Sequence, residues 1–184
     1  MKSKTRVNIL FITQAAVIAA LYVILTRISG MVGLASNVIQ VRISEALCVL
    51  VIFTPSAIPG LTIGCFLANL IEGSVGGALV WADILFGTLA TFLGAVLGYL
   101  IYKLLSGKDP LQKIAFWLVP IPTVLANAFI VPFVLVYAYH VPDAWWFCFL
   151  TVGAGELIAA YALGIAFYFA VRKPLGSAIQ NHRF

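Results

Sequence analysis

Six runs of apolar residues, separated by short polar, glycine- or proline-bearing stretches, set the pattern of the chain; they cover about residues 7–27, 42–54, 57–72, 81–105, 114–139 and 144–171. Most approach the roughly 20 residues that a helix needs to cross a bilayer. The pattern predicts an all-α integral membrane protein, a compact bundle of six transmembrane helices in one domain spanning 1–184. The second run, ended by Pro55, is too short to cross alone, so either residues 37–41 extend it or it stops at a cavity. Gly73, Gly76 and Gly77 predict a loop before the fourth run, and Ser106 to Pro110 (SGKDP) the clearest turn. The first run follows a basic tip of Lys2, Lys4 and Arg6. That order resembles a signal peptide, but the run is too long for an h-region and lacks a clear cleavage site, so it is expected to stay as helix 1.

Composition sharpens this picture. Of 184 residues, 63% are hydrophobic and 9% charged, far below the roughly 25% charged residues of a soluble domain, and mean hydropathy is +1.10. Six short-looped helices leave no room for a separate catalytic, nucleotide-binding or DNA-binding domain. The net charge of +5 then reads as topology. Lys and Arg near short loops mark the cytoplasmic side; the basic tip, Lys103, Lys108 and Lys113, and Arg172, Lys173 and Arg183 share one side of a six-span chain. Both termini are expected to be cytoplasmic. The outer side holds Arg27, Arg42, Glu45, Glu72, Asp83, His140 and Asp143, with Trp81, Trp145 and Trp146 as interface anchors and Trp117 as the inner one. Cys48, Cys65 and Cys148 are scattered in apolar runs and read as packing thiols.

Ionisable groups inside a membrane are costly, so each one here is a candidate functional residue. Arg42 and Glu45 lie three apart, placed either to share a ligand or to pair with each other. Asn69 and Glu72 repeat the spacing at the outer end of helix 3, with Cys65 one turn below; Glu72 alone is also compatible with a solvated helix end. Asn127 sits between Pro122 and Pro132, whose missing amides should bend helix 5 and free carbonyls; its alternative is a bond to a neighbouring helix. Glu156, beside Gly153 and Gly155, is the acid least able to reach water, and either meets a ligand or pairs structurally. Asp83, following Trp81, either joins the site or caps helix 4. His140, before Pro142, is expected to be exposed.

These groups outline an acid-rich cavity with one arginine and two carboxamides, flanked by Trp81, Trp145, Trp146 and Phe147. A small, flat, nitrogen-rich solute fits it, since carboxylates accept paired N–H groups, amides serve a ring edge and aromatics stack on a ring face. No zinc-helix, nucleophile-elbow or phosphate-loop motif is found in the sequence, so no enzymatic activity, metal or cofactor is expected, and transport would need an energising partner. Ala15, Ala16, Ala19 and Ala20 form two overlapping small-xxx-small pairs on helix 1, fit for a partner helix or for packing within the chain; Gly60/Gly64 and Gly94/Gly98 offer the same spacing.

Taken together, the six-helix length, the alanine pattern, the run Gln40-Val-Arg-Ile-Ser-Glu-Ala46 and the stretch from Thr54 through Gly60 to Asn69 and Leu70 resemble the QueT family, substrate-binding S components of energy-coupling factor (ECF) transporters. That resemblance implies a multi-pass protein of the bacterial cell membrane taking up a queuosine precursor, most simply the 7-deazaguanine base preQ1, with no nucleic-acid partner. It implies a coupling membrane protein and two ATPase subunits as partners, with Ala15, Ala16, Ala19 and Ala20 facing the coupling protein. A deazaguanine offers a donor pair for one carboxylate, a carbonyl for arginine or asparagine, and an ammonium for a second carboxylate. Glu45 or Glu156 would take a carboxylate role, and Arg42, Asn69 or Asn127 the carbonyl. An S component for another vitamin-like solute, or a structural or regulatory membrane subunit, is the alternative.

Overall fold

The structure is a computed structural model that describes residues 4–34, 39–76, 80–107 and 111–180. It is helical throughout, with no strand among the described residues. The six expected helices are present. α1 runs Lys4–Met31, α2 is the 3-10 helix Ile43–Ile52, and α3 runs Ala57–Gly76. α4 starts as Val80–Ala82, passes through a π-helical turn, Asp83–Gly87, and continues as Thr88–Leu105. α5 joins Leu111–Leu118 to Ile121–Phe133 and ends in a π-helical turn, Val134–Ala138. α6 comprises Trp145–Leu157, a π-helical stretch Ile158–Leu163, and Gly164–Gln180.

Among the described residues, four segments are long and apolar enough to cross a membrane, Asn8–Met31, Asp83–Leu105, Ile114–Ala138 and Trp145–Lys173; the apolar Ile43–Ile52 and Ala57–Gly73 are shorter. Large apolar side chains such as Ile12, Ile63, Leu97, Phe129 and Leu150 point outward, which suits a lipid surface and no aqueous one. The protein is therefore a multi-pass membrane protein.

Side-chain contacts set the direction of each helix. Gln14 of α1 accepts hydrogen bonds from Thr54 and Ser56 at the far end of α2 (both 2.9 Å), whereas Thr26 donates to Ser44 at its beginning (2.8 Å), so α1 and α2 are antiparallel. α3 runs beside α1 in the same direction, its Gly60 against Ile18 and Ala15 and its Gly64 against Tyr22 and Ala19. A Cβ on Gly64 would lie 2.7 Å from that of Tyr22. Gly94 and Gly98 of α4 similarly meet Thr123 and Val119 of α5, in reverse order. Tyr161 of α6 donates to the Trp117 carbonyl near the start of α5 (2.8 Å), and the Trp145 ring packs tilted against Phe133 near its end. The helices thus alternate, and the start of α1 and the end of α6 lie on the same face of the bundle. The glycine pairs pack within the chain, the closest-approach use of small-xxx-small spacing.

α2 departs most from expectation. It is a 3-10 helix, rising about 2.0 Å per residue against about 1.5 Å for an α-helix, so ten residues reach about 20 Å. Ser44 to Val51 are all buried. Each of the other segments can face lipid, but α2 lies inside them and has no lipid-facing side; residues 37 and 38 of its expected extension lie outside the described residues. Other boundaries also move. α1 continues through Ser29, whose hydroxyl donates to the Leu25 carbonyl and accepts from the Ile43 amide (both 2.9 Å), so the serine is satisfied without breaking the helix. Gly73 and Gly76 are helical rather than loop, while Gly77 lies outside the described residues. Gly107, at φ +82, ends α4 at the predicted turn, whose Lys108, Asp109 and Pro110 lie outside the described residues, as do Lys2 and Arg183 of the basic ends.

Gly155 carries the tightest approach in the bundle. A Cβ there would stand 2.0 Å from the Gln40 carbonyl oxygen, whereas one on Gly153 would meet only Ala128, at 3.6 Å. Gly155→Ala should therefore destabilise the detergent-solubilised protein by about 1–3 kcal/mol and lower its melting temperature, with Gly153→Ala close to wild type. Equal melting of the two variants would refute this packing.

Candidate substrate site

The segment entering α2 is extended, with Arg42 at φ −95° and ψ 103° in the N-cap position. This places the Arg42 side chain at the end of the bundle opposite the termini, and Glu45 follows on the first turn of α2. Around them stand the last turns of α1 and α3 and the first turn of α4. Arg42 Nη2 donates to Asn69 Oδ1 (2.7 Å). Asn69 Nδ2 donates to the Asp83 carbonyl (2.8 Å) and approaches Cys65 Sγ at 3.5 Å. The carboxamide thereby joins α2, α3 and α4, and Gly87 makes room for it, since a Cβ there would lie 2.9 Å from Asn69 Nδ2. Tyr22, fully buried, donates its hydroxyl to Glu45 Oε1.

Glu156 enters the same group from α6. It is 5% exposed and Glu45 is 2% exposed; Glu156 interacts electrostatically with Glu45 and Arg42, and Arg42 with Glu45 and Glu72. Glu72 is half-buried, its Oε1 over Gly30 of α1. The structure thus brings together Arg42, Glu45, Asn69, Glu72 and Glu156 from three helices, α2 with its N-cap, α3 and α6. Asp83 is tied to them through its backbone carbonyl, while its carboxylate accepts from the Tyr139 hydroxyl. It heads a π-helical turn whose N-cap position is Ala82.

Other expected members stand apart. Trp81 is 73% exposed and Trp146 62%, so both point away from the bundle. Trp145 packs among Phe129, Phe133 and Phe149. Asn127 is buried but donates to the Thr123 carbonyl of its own helix (3.1 Å). Pro122 sits in the first turn of its helical segment, where no amide is needed; the break in α5 falls before it, at Val119 and Pro120, and Pro132 precedes the π-helical turn. His140 is exposed, with φ +51. The four alanines divide. Ala15 and Ala19 are buried against α3, whereas Ala16 and Ala20 are exposed. All three cysteines are buried and unbridged.

Tyr22, Thr26, Ser29 and Ser44 escaped the sequence reading. The first three are spaced i, i+4, i+7 on α1, a polar stripe that helical periodicity does expose.

Chemically, the group supplies carboxylate acceptors, a guanidinium and carboxamide donors in an apolar bundle. No cluster of three or more His, Cys, Asp or Glu suited to a metal occurs among the described residues. Two apolar grooves, of about 540 Å³ between α4 and α5 and about 470 Å³ between α5 and α6, are lined by side chains such as Phe86 and Phe133 or Leu125 and Phe149 and lie outside the polar group.

An apolar, lipid-facing helical bundle holding a buried polar group at one end has the makings of a solute transport protein. The comparisons agree with that class and narrow it. The family model described as QueT transporter matches residues 12–173, and the chain belongs to this family. It is 33% identical over 106 residues to a protein of Lactococcus lactis subsp. cremoris named queuosine precursor transporter QueT, a match covering 58% of this chain and 56% of that relative. The chain thus aligns with just over half of the relative's length. No solved structure matches.

Replacing Asn69 by Leu keeps the volume but removes the bonds to Arg42 and to the Asp83 carbonyl. The loss should be about 2–4 kcal/mol, read as a lower melting temperature in detergent. Wild-type stability in Asn69→Leu would mean that the carboxamide does not hold the site together.

Proposed function

We propose that this chain is the substrate-capture subunit, or S component, of an ECF-type importer in a bacterial cell membrane. It takes a queuosine precursor, the 7-deazaguanine base preQ1, from outside and delivers it inward. A separate coupling membrane protein and two ATPase subunits supply the drive. Both termini face the cytoplasm, so the buried polar group lies in the outer half of the membrane, where capture begins.

The observation that supports this most directly is the convergence of Glu45, Glu156, Arg42 and Asn69 inside an apolar bundle. Charges at this depth are expensive and mark substrate pathways. A deazaguanine ring presents N–H donors to a carboxylate and a carbonyl to the guanidinium. The relative's name, queuosine precursor transporter, points to the same solute. The exposed pair Ala16 and Ala20 gives α1 a small-residue face for the coupling protein; Ala15 and Ala19 are already used by α3.

Binding and uptake test the two halves of this reading. Purified protein should bind preQ1, and Glu45→Gln should weaken binding about hundredfold, because a buried hydrogen bond to a charged group is lost. Ala16→Leu combined with Ala20→Leu should leave binding intact and abolish uptake into cells. Undiminished affinity in Glu45→Gln would remove the site; undiminished uptake in the double variant would remove the partner face.

A further inference from the structure

Two carboxylates reach the same buried group, and they are not equivalent. Glu45 is engaged: Oε1 accepts the Tyr22 hydroxyl, and the guanidinium of Arg42 attracts it. Glu156 is different. Its carboxylate is 95% removed from solvent by the bundle, and Oε2 has no hydrogen-bond partner among the described residues. Its electrostatic neighbours are Glu45, which repels it, and Arg42, which attracts it. Arg42 is itself shared, since it also faces Glu45 and Glu72 and commits one N–H to Asn69. Counted as carboxylates, the three acids outnumber the one guanidinium, and the oxygen that lacks a donor belongs to Glu156. Gly155 packs against the Gln40 carbonyl, which seats the backbone at Glu156 beside the segment that carries Arg42.

A buried acceptor of this kind calls for a donor from the ligand, and an excess negative charge calls for a cationic one. The other carboxylate suits a different task. Held by the Tyr22 hydroxyl and facing Arg42, Glu45 is a pre-oriented acceptor, which fits the neutral N–H edge of a ring.

Resting on the reading of this chain as a deazaguanine-capture subunit, we propose that the two carboxylates divide the ligand between them. Glu45 receives the ring edge, and Glu156 is the counter-ion of a protonated amine carried on the ring. The site therefore selects a cationic ligand over a neutral one of the same shape, and Glu156 is the residue that makes the selection.

The test compares 7-aminomethyl-7-deazaguanine, a cation at neutral pH, with its hydroxymethyl analogue, a neutral isostere, by binding to the purified full-length protein. Wild type should favour the amine by about tenfold or more, the difference between a charge-assisted and a neutral hydrogen bond. Glu156→Gln should bring the ratio to within about threefold by losing affinity for the amine alone, and Glu156→Asp should restore most of it. Equal binding of the two bases to wild type would overturn the proposal while leaving the capture function standing. The same holds for an unchanged ratio in a folded Glu156→Gln. Failure of folded wild type to bind either base would overturn both. If Glu156→Gln does not fold, the wild-type ratio and that of Glu156→Asp still decide.

Discussion

The hydrogen bond from Arg42 to Asn69 is the interaction on which the polar end of the bundle depends. A guanidinium in an apolar setting must have its donors and its charge answered, or the fold around it does not hold. Asn69 answers one donor and passes the restraint to α4 through the Asp83 carbonyl; Glu45, Glu72 and Glu156 answer the charge. A single side chain therefore fixes how α2, α3, α4 and α6 meet. Asp83 extends the connection to α5 through Tyr139.

The apolar packing serves this polar end. Gly64 lets α3 close on α1 at Tyr22, whose phenol donates to Glu45. Gly87 admits the Asn69 carboxamide, and Gly155 admits the segment leading to Arg42. Where side chains are absent, backbones approach closely enough for polar groups from different helices to touch. The 3-10 geometry of α2 adds to this. It stretches ten residues over about 20 Å, and enclosure by the other helices keeps Glu45 away from lipid. Long 3-10 runs and π-helical turns are uncommon and collect at functional places; here the π-helical turn Asp83–Gly87 carries both the Asp83 carbonyl and Gly87 that meet Asn69.

Much of this was legible in the sequence. The apolar runs located all six helices to within a few residues at most ends, because membrane-crossing segments announce themselves by length and hydropathy. The scarcity of charge made Arg42, Glu45 and Glu156 conspicuous, and they do converge. What escaped depended on context. A uniformly apolar stretch from Ala46 to Ile52 has no polar face, so its period does not tell α from 3-10. Tyr22 in an apolar helix reads as one more aromatic until its hydroxyl is seen to donate to Glu45. Trp81 flanks the expected cavity by its position, but the direction of its side chain is set by the rotation of α4, which the sequence does not state. The two interleaved alanine pairs were indistinguishable until α3 was seen to occupy one of them.

The central claim is that this buried, acid-rich group is a capture site for a nitrogen-rich ring and not a set of structural ion pairs. Mass spectrometry of small molecules that co-purify with the protein from cells making queuosine precursors tests it most directly. The account predicts a 7-deazaguanine base retained by wild type and lost from a variant lacking Arg42. Recovery of a different solute, or of none from folded wild-type protein saturated with the base before purification, would contradict it.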